Sequence, residues 1–279
     1  MMPPAMHYID LPLAQWLEDS LNVSSIFTAN TVSFIGLGLG LLAARLFMCQ
    51  CYKWRILGFI LFKFRDLADN LDGIVARARM NEHKMTMKPG SLGFATDAIC
   101  DGIADYCIII GTGIFLLRSV SQNHDNYKKL ESGELDKSAT NVKNSGSLWS
   151  KLKHLQMQWF MPIVTKTVLF GVTFGICSGL WNSFMYNYSQ LFDTDLIAIS
   201  EQQQMIQLAV LKSPIMWLII FIWRWMNAVS MIEFFICAIL FKKAEEFLDL
   251  MYQHGPLLVM SVSIITYIHY IYAFNKISI

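Results

Sequence analysis

A chain of 279 residues with 54% hydrophobic and only 15% charged side chains falls well below the roughly 25% charge of soluble domains, which points to a membrane protein. Its formal net charge of +1 offers no basic field and argues against nucleic acid as a partner. Six cysteines, Cys49, Cys51, Cys100, Cys107, Cys177 and Cys237, form no Cys-x-x-Cys pair and lie mostly in apolar runs, so they read as small apolar fillers rather than zinc ligands or a disulfide framework.

The N-terminal stretch from Met6 to Leu21 mixes apolar residues with Asp10, Glu18 and Asp19. It is too polar to span and lacks the basic start of a signal peptide. Residues 1–29 are therefore read as an interfacial segment, with an amphipathic helix that sets Trp16 at headgroup depth. A spanning helix needs about 20 mostly apolar residues, and six runs qualify: 31–49, 54–76, 93–117, 159–182, 214–240 and 256–274. They predict an all-α, polytopic membrane protein with six transmembrane helices, forming one domain over residues 1–279. In the first run, Gly36, Gly38 and Gly40 permit close helix contact, in the chain or in a dimer. Residues 118–158, rich in Ser, Asn and Lys, read as a polar loop.

Six spans put both termini on one side, together with the 77–92 and 183–213 loops. That side carries Arg77, Arg79, Lys84, Lys88, Lys212 and Lys276, against eleven Lys and Arg on the other. The cation excess marks the other side as cytosolic. Two Asn-x-Ser sequons, at Asn22 and Asn187, fall on the cation-poor side, which agrees with a lumenal or extracellular face.

Asp69 and Asp72 lie three apart at the end of the second run; Asp97 and Asp101 lie four apart near the start of the third. Both spacings put side chains on one helix face. An Asp near the bilayer centre costs roughly 2.5–3.5 kcal/mol on the insertion scale, and four together repel, so protons or cations must neutralise them. Hard carboxylate oxygens suit Mg²⁺ or Mn²⁺. Two such pairs predict two ions about 3.5–4 Å apart, an arrangement suited to phosphoryl transfer. Gly73, Ala76 and Gly93 would let a ligand approach the helix backbone. Arg77, about a turn beyond Asp72, can grip a phosphate through two hydrogen bonds. A divalent-cation transporter would explain the carboxylates but not the small-residue pocket, and an inactive scaffold has no need of all four aspartates.

The pattern Asp69-x2-Asp72-Gly73-x2-Ala76-Arg77, then Gly93-x3-Asp97-x3-Asp101, resembles the signature of the CDP-alcohol phosphotransferase family. The resemblance implies transfer of a phospho-alcohol from a CDP-alcohol to an acceptor hydroxyl with release of CMP, by a homodimer of six-span subunits. It implies metal ligation by Asp69, Asp72, Asp97 and Asp101, with Asp101 also the base that deprotonates the acceptor. It puts Gly73, Ala76 and Gly93 in the cytidine pocket and Arg77 on the diphosphate. Ala29-Asn30 matches only the Asn of the Pro-Asn that often opens the family's first span, which makes Asn30 a further nucleotide contact. One departure is the 15 residues between Arg77 and Gly93, a longer polar loop than the family usually has and one that bears on substrate choice. The lumenal site, the widened motif and the compact length are similar to a Golgi branch of the family, the insect ceramide phosphoethanolamine synthases. That implies CDP-ethanolamine as donor, ceramide as acceptor and Mn²⁺, or Mg²⁺, as metal. The alternative is an ethanolamine or choline phosphotransferase that acts on diacylglycerol, another two-tailed lipid with a primary hydroxyl.

Other ionisable residues invite weaker readings. Asp66 and Asp105 extend the two carboxylate rows by one turn, but Asp66 is turned about 120° from Asp72 on a helix of about 3.6 residues per turn. Both suit a structural or headgroup-binding role. Lys166, Arg224 and Glu233 fall in apolar runs, where ionisable residues face the interior. Arg224 and Glu233 read either as contacts to diphosphate or ammonium, or as a structural pair. His269 reads as a packed interface residue, and Trp223-Arg224-Trp225 as a cluster against lipid or a partner helix.

Overall fold

A computed structural model describes residues 6–80, 92–135, 145–192 and 201–277. Among these residues every element is a helix and there is no strand. A π-helical turn at Met6–Asp10 leads into α1 (Leu11–Leu21) and the short α2 (Val23–Ile26). Asn22, at a left-handed φ of 48°, ends α1. The long helices follow as α3 (Ala29–Phe47), α4 (Tyr52–Met80), α5 (Leu92–Leu135) and α6 (Ser145–Phe192). The chain closes with α7 (Glu201–Leu211), α8 (Pro214–Met226), α9 (Ala228–Leu240) and α10 (Ala244–Ile277).

α3, α4 and α5 pack together as the frame of the site, and two of the three glycines in α3 face the other helices. A Cβ on Gly36 would lie 3.5 Å from that of Ala68 in α4, and one on Gly40 only 2.6 Å from that of Ala104 in α5. Gly38 faces open space. Gly40 is thus the one of the three whose lack of a side chain the packing within the chain requires, while Gly36 borders α4 at ordinary contact distance. The main apolar core then joins these helices to α6, α8, α9 and α10, through Phe47, Phe62, Ile108, Phe170, Trp223, Phe235 and Leu248, and a small second cluster ties Val210 of α7 to Ala273 and Ile277. Trp223 is buried and donates from Nε1 to Thr266 at 2.7 Å; Trp225 is exposed. His269 is buried too, with Nδ1 2.8 Å from the Tyr188 hydroxyl. The six cysteines are all free.

The N-terminal segment is helical as expected, but it is more than a surface float. Asp10 is buried while Trp16 is exposed, and α1 packs on α4.

Among the described residues, four helices are long and apolar enough to cross a membrane: Ala29–Phe47, Ala95–Ser121, Met161–Phe192 and Ala244–Ile277. α7 and α8, bent by 50° at their junction, make a fifth if they count as one. The remaining expected spans differ in informative ways. The run 54–76 is one continuous stretch of α4, but the helix carries nine charged residues, too many to pass as apolar. The run 214–240 is not a single helix. Asn227 turns extended at ψ 163°, ends α8, and accepts from the Ser230 amide to cap α9. Each half has 13 residues, about 20 Å at 1.5 Å per residue, short of a hydrocarbon core of about 30 Å.

The polar loop expected over 118–158 is largely helix as well. α5 continues to Leu135 and α6 starts at Ser145, with 136–144 outside the described residues. Lys, Leu, Glu and Gln are good helix formers whether or not they are apolar, so a helix begun in the membrane can run on past it. The 183–213 loop shrinks for the same reason. α6 reaches Phe192, so the Asn187 sequon lies inside a helix rather than in a loop.

Candidate active site

The start of α3, the end of α4 and the start of α5 meet at one end of the three-helix frame. On α4, Arg65, Asp69 and Asp72 recur at intervals of four and three, and on α5 Asp97, Asp101 and Asp105 recur every four, so each row shares a face. One carboxylate oxygen from each of Asp69, Asp97 and Asp101 lies within 4.8 Å of the other two. Asp72, 6% exposed, is turned toward α3, where the Ser33 hydroxyl donates to its Oδ2 at 2.5 Å. Asn30 and Gly93 face each other, the Asn30 Oδ1 lying 3.9 Å from where a Cβ on Gly93 would be. The Arg77 guanidinium folds back over Gly73, its Nη1 3.4 Å from the position of a Cβ there. Ala76 is half-buried on the same stretch of α4. Residues 81–91, most of the insertion and with it Lys84 and Lys88, lie outside the described residues.

The carboxylate trio suits a divalent cation. Oxygens up to 4.8 Å apart can be bridged by two metal–oxygen bonds of about 2.0–2.6 Å. The charge balance points the same way: Arg65 reaches Asp101 with Nη2 at 2.8 Å, and one guanidinium does not offset the trio. Unit charges about 4 Å apart repel by about 4 kcal/mol at an effective dielectric of about 20. The donors are hard oxygens, the set that suits Mg²⁺ or Mn²⁺. Asp72 adjoins the trio through Asp97, whose side chain is its hydrogen-bonding neighbour, so the four expected carboxylates lie together at this end of the frame.

A second ionic cluster lies one turn deeper. The Lys63 ammonium is 2.8 Å from Glu233 of α9, 2.9 Å from Asp66 and 3.6 Å from Asp10. Burial holds the Asp10 carboxyl above the usual carboxylate range; Lys63 opposes that shift and Asp66 reinforces it. Asp66 belongs to this cluster and not to the trio. Glu233 is engaged with Lys63, and the Arg224 guanidinium lies over the Tyr8 ring, 5.3 Å from its centre. Neither joins the aspartate site and they do not pair with each other, because the break at Asn227 puts them on different helices. Lys166 pairs with Asp249 of α10.

Three residues at or beside the site escaped the sequence reading. Ser33 stands three residues after Asn30 and Arg65 four before Asp69, both at helix-face spacing from residues that were recognised. Lys63 sits inside the 54–76 run, where its charge was a signal.

The sequence profile described as ceramide phosphoethanolamine synthase matches residues 2–278. The chain is 24% identical over 273 residues to "Ceramide phosphoethanolamine synthase" of Drosophila melanogaster, an alignment that covers 97% of this chain and 66% of the fly protein. It therefore spans about two thirds of the length of that relative. No solved structure matches.

Proposed function

We propose that this chain, which belongs to the ceramide phosphoethanolamine synthase family, transfers phosphoethanolamine from CDP-ethanolamine to the primary hydroxyl of ceramide and releases CMP. The observation that carries this reading is the convergence of Asp69, Asp97 and Asp101 within 4.8 Å, beside Asp72 and the small residues Gly73, Ala76 and Gly93. When bound at these four aspartates, two divalent ions, Mn²⁺ or Mg²⁺, supply charge neutralisation for the diphosphate and for the attacking and leaving oxygens. Ser33 fixes Asp72 by its hydrogen bond. Gly73, Ala76 and Gly93 line the cytidine site, with Asn30 across from Gly93, and Arg77, which covers Gly73 here, turns to the diphosphate. Asp101 takes the proton of the ceramide hydroxyl as that oxygen bonds to the β-phosphorus. The bond from this phosphorus to the CMP oxygen breaks, and CMP leaves with the electron pair.

The reading extends to the protein's setting. A homodimer lies in the Golgi membrane with the site facing the lumen. α4 is a further span that tolerates its charges because Arg55, Arg65, Asp66 and Asp72 are buried within the fold, and six spans result when α8 and α9 together complete the sixth.

The test is an assay of the purified chain in nanodiscs with labelled CDP-ethanolamine, Mn²⁺ and either ceramide or diacylglycerol. Label on ceramide supports the proposal. Label on diacylglycerol alone, or on neither lipid, overturns it.

A further inference from the structure

Arg65 takes no part in the chemistry above, yet it touches the residue on which that chemistry turns. It stands four residues before Asp69, one turn deeper on the same face of α4, and is 4% exposed. Its Nη2 donates to Asp101 Oδ1 at 2.8 Å and lies 3.3 Å from Asp105 Oδ1, while its Nη1 donates to Asp66 Oδ1 at 3.2 Å. The guanidinium is thus gripped by two carboxylates of α5 and one of α4. Its stem runs past Gly40, where a Cβ would lie 3.8 Å from the Arg65 Cγ. Asp66 is in turn held by Lys63, and Lys63 by Glu233 of α9. Three helices therefore fix the plane of this one side chain.

We propose that Arg65 is the positioning residue for Asp101: it ties down one carboxylate oxygen and leaves the other to meet the acceptor hydroxyl. A group that only neutralised buried charge would need a cation at this depth and nothing more. Arg65 instead uses the planar fork of its guanidinium to reach Asp101 and Asp66 at once from two nitrogens, which an ammonium cannot reproduce. The Lys63 cluster behind it keeps the fork from turning. The proposal rests on the reading of Asp101 as the base.

The test compares wild type, Arg65→Lys and the charge-balanced double variant Arg65→Gln/Asp105→Asn, each as the full chain in nanodiscs. Four quantities are read: kcat and KM with CDP-ethanolamine, ceramide and Mn²⁺; Mn²⁺ affinity by electron paramagnetic resonance; CDP-ethanolamine affinity by calorimetry; and thermal unfolding. A misplacement of about 1 Å at a reacting group costs about 100-fold in rate, so Arg65→Lys should lose about that much kcat while KM and both affinities stay within about threefold. The double variant, which removes a cation and an anion together, should show the same split and covers the case in which Arg65→Lys does not fold. The proposal is overturned if a folded variant keeps kcat within about threefold of wild type, or if Mn²⁺ or nucleotide affinity falls in step with kcat, since Arg65 would then act on the metal cluster. A wild type that transfers nothing overturns the parent reading, and this one with it. Wild-type turnover with an unaffected Arg65→Lys sinks this proposal alone.

Discussion

Gly40→Ala tests whether the spacing of α3 and α5 sets the site. The new methyl would sit 2.6 Å from the Cβ and 3.5 Å from the Cα of Ala104. Carbon contacts relax to about 3.5–4.0 Å, so the two helices must part by about 1 Å. Ala104 is fully buried and sits between Asp101 and Asp105, so the shift passes straight to the proposed base. Overpacking of this kind costs about 1–3 kcal/mol, and the better helix propensity of Ala returns about 1 kcal/mol. The net loss of stability is then at most about 2 kcal/mol, while a 1 Å displacement costs turnover about 100-fold. The assay is transfer from labelled CDP-ethanolamine to ceramide, alongside thermal unfolding. Ala104→Gly in the same chain removes the opposing methyl and should restore turnover to within about threefold. Gly38→Ala, in open space, and Gly36→Ala, 3.5 Å from Ala68, should behave as wild type. Full turnover by Gly40→Ala, or a loss that Ala104→Gly does not repair, would refute the reasoning.

Excess chelator should abolish transfer and added Mn²⁺ restore it; steady turnover in chelator would mean that the carboxylate trio is not a metal site. Lys63→Met strands Asp10, Asp66 and Glu233 without their ammonium. Breaking a buried pair costs about 3–5 kcal/mol, and because the Lys63 side chain is 30% exposed the expected loss is about 2–3 kcal/mol by thermal unfolding. Asp10→Asn, which removes a charge that burial already disfavours, should cost less than about 1 kcal/mol; equal losses for the two variants would show that the cluster is not organised around Lys63. In intact microsomes, Asn22, exposed at the end of α1, should carry glycan while Asn187, inside α6, should not. An unmodified Asn22, with α5–α6 protected from added protease, would put the site on the cytosolic side.

The sequence made one half of the site readable and hid the other for a definite reason. Asp69, Asp72, Asp97 and Asp101 are paired within their own helices, and spacing alone puts each pair on a face. Ser33 and Arg65 matter through partners 39 and 36 residues away, and such pairings need the register between helices, which a single sequence does not contain. The same limit explains Glu233, which read either as a ligand contact or as a structural partner of Arg224 because nothing local tied it to Lys63. The break at Asn227 was locally legible, since Asn three residues before Ser230 can cap a helix, but an unbroken apolar run masked it. The helical ends of α5 and α6 were missed because polarity was taken for irregularity, although helix propensity and apolarity are separate properties.

The ionic contacts also explain how α4 can hold so many charges beside a membrane. From its deep end the signs alternate: Asp10 and Glu233 face Lys63, Lys63 faces Asp66, Asp66 faces Arg65, and Arg65 faces Asp105 and Asp101. Each contact is 3.6 Å or less, so each charge in this series has a counter-charge that offsets part of its desolvation; Arg55, also buried on α4, lies instead over the Tyr52 and Phe115 rings. The alternation stops at Asp101. Beyond it come Asp69 and Asp97, carboxylates next to a carboxylate, and no cation of the described residues reaches them as Arg65 reaches Asp101. Under the proposed function, the divalent ions supply the positive charge that this end lacks. Gly73 and Gly93, which the proposed function puts beside the nucleotide, lie at that same end, Gly73 under the Arg77 guanidinium and Gly93 across from Asn30. The transporter alternative accounts for the first of these features only; phosphoryl transfer uses both.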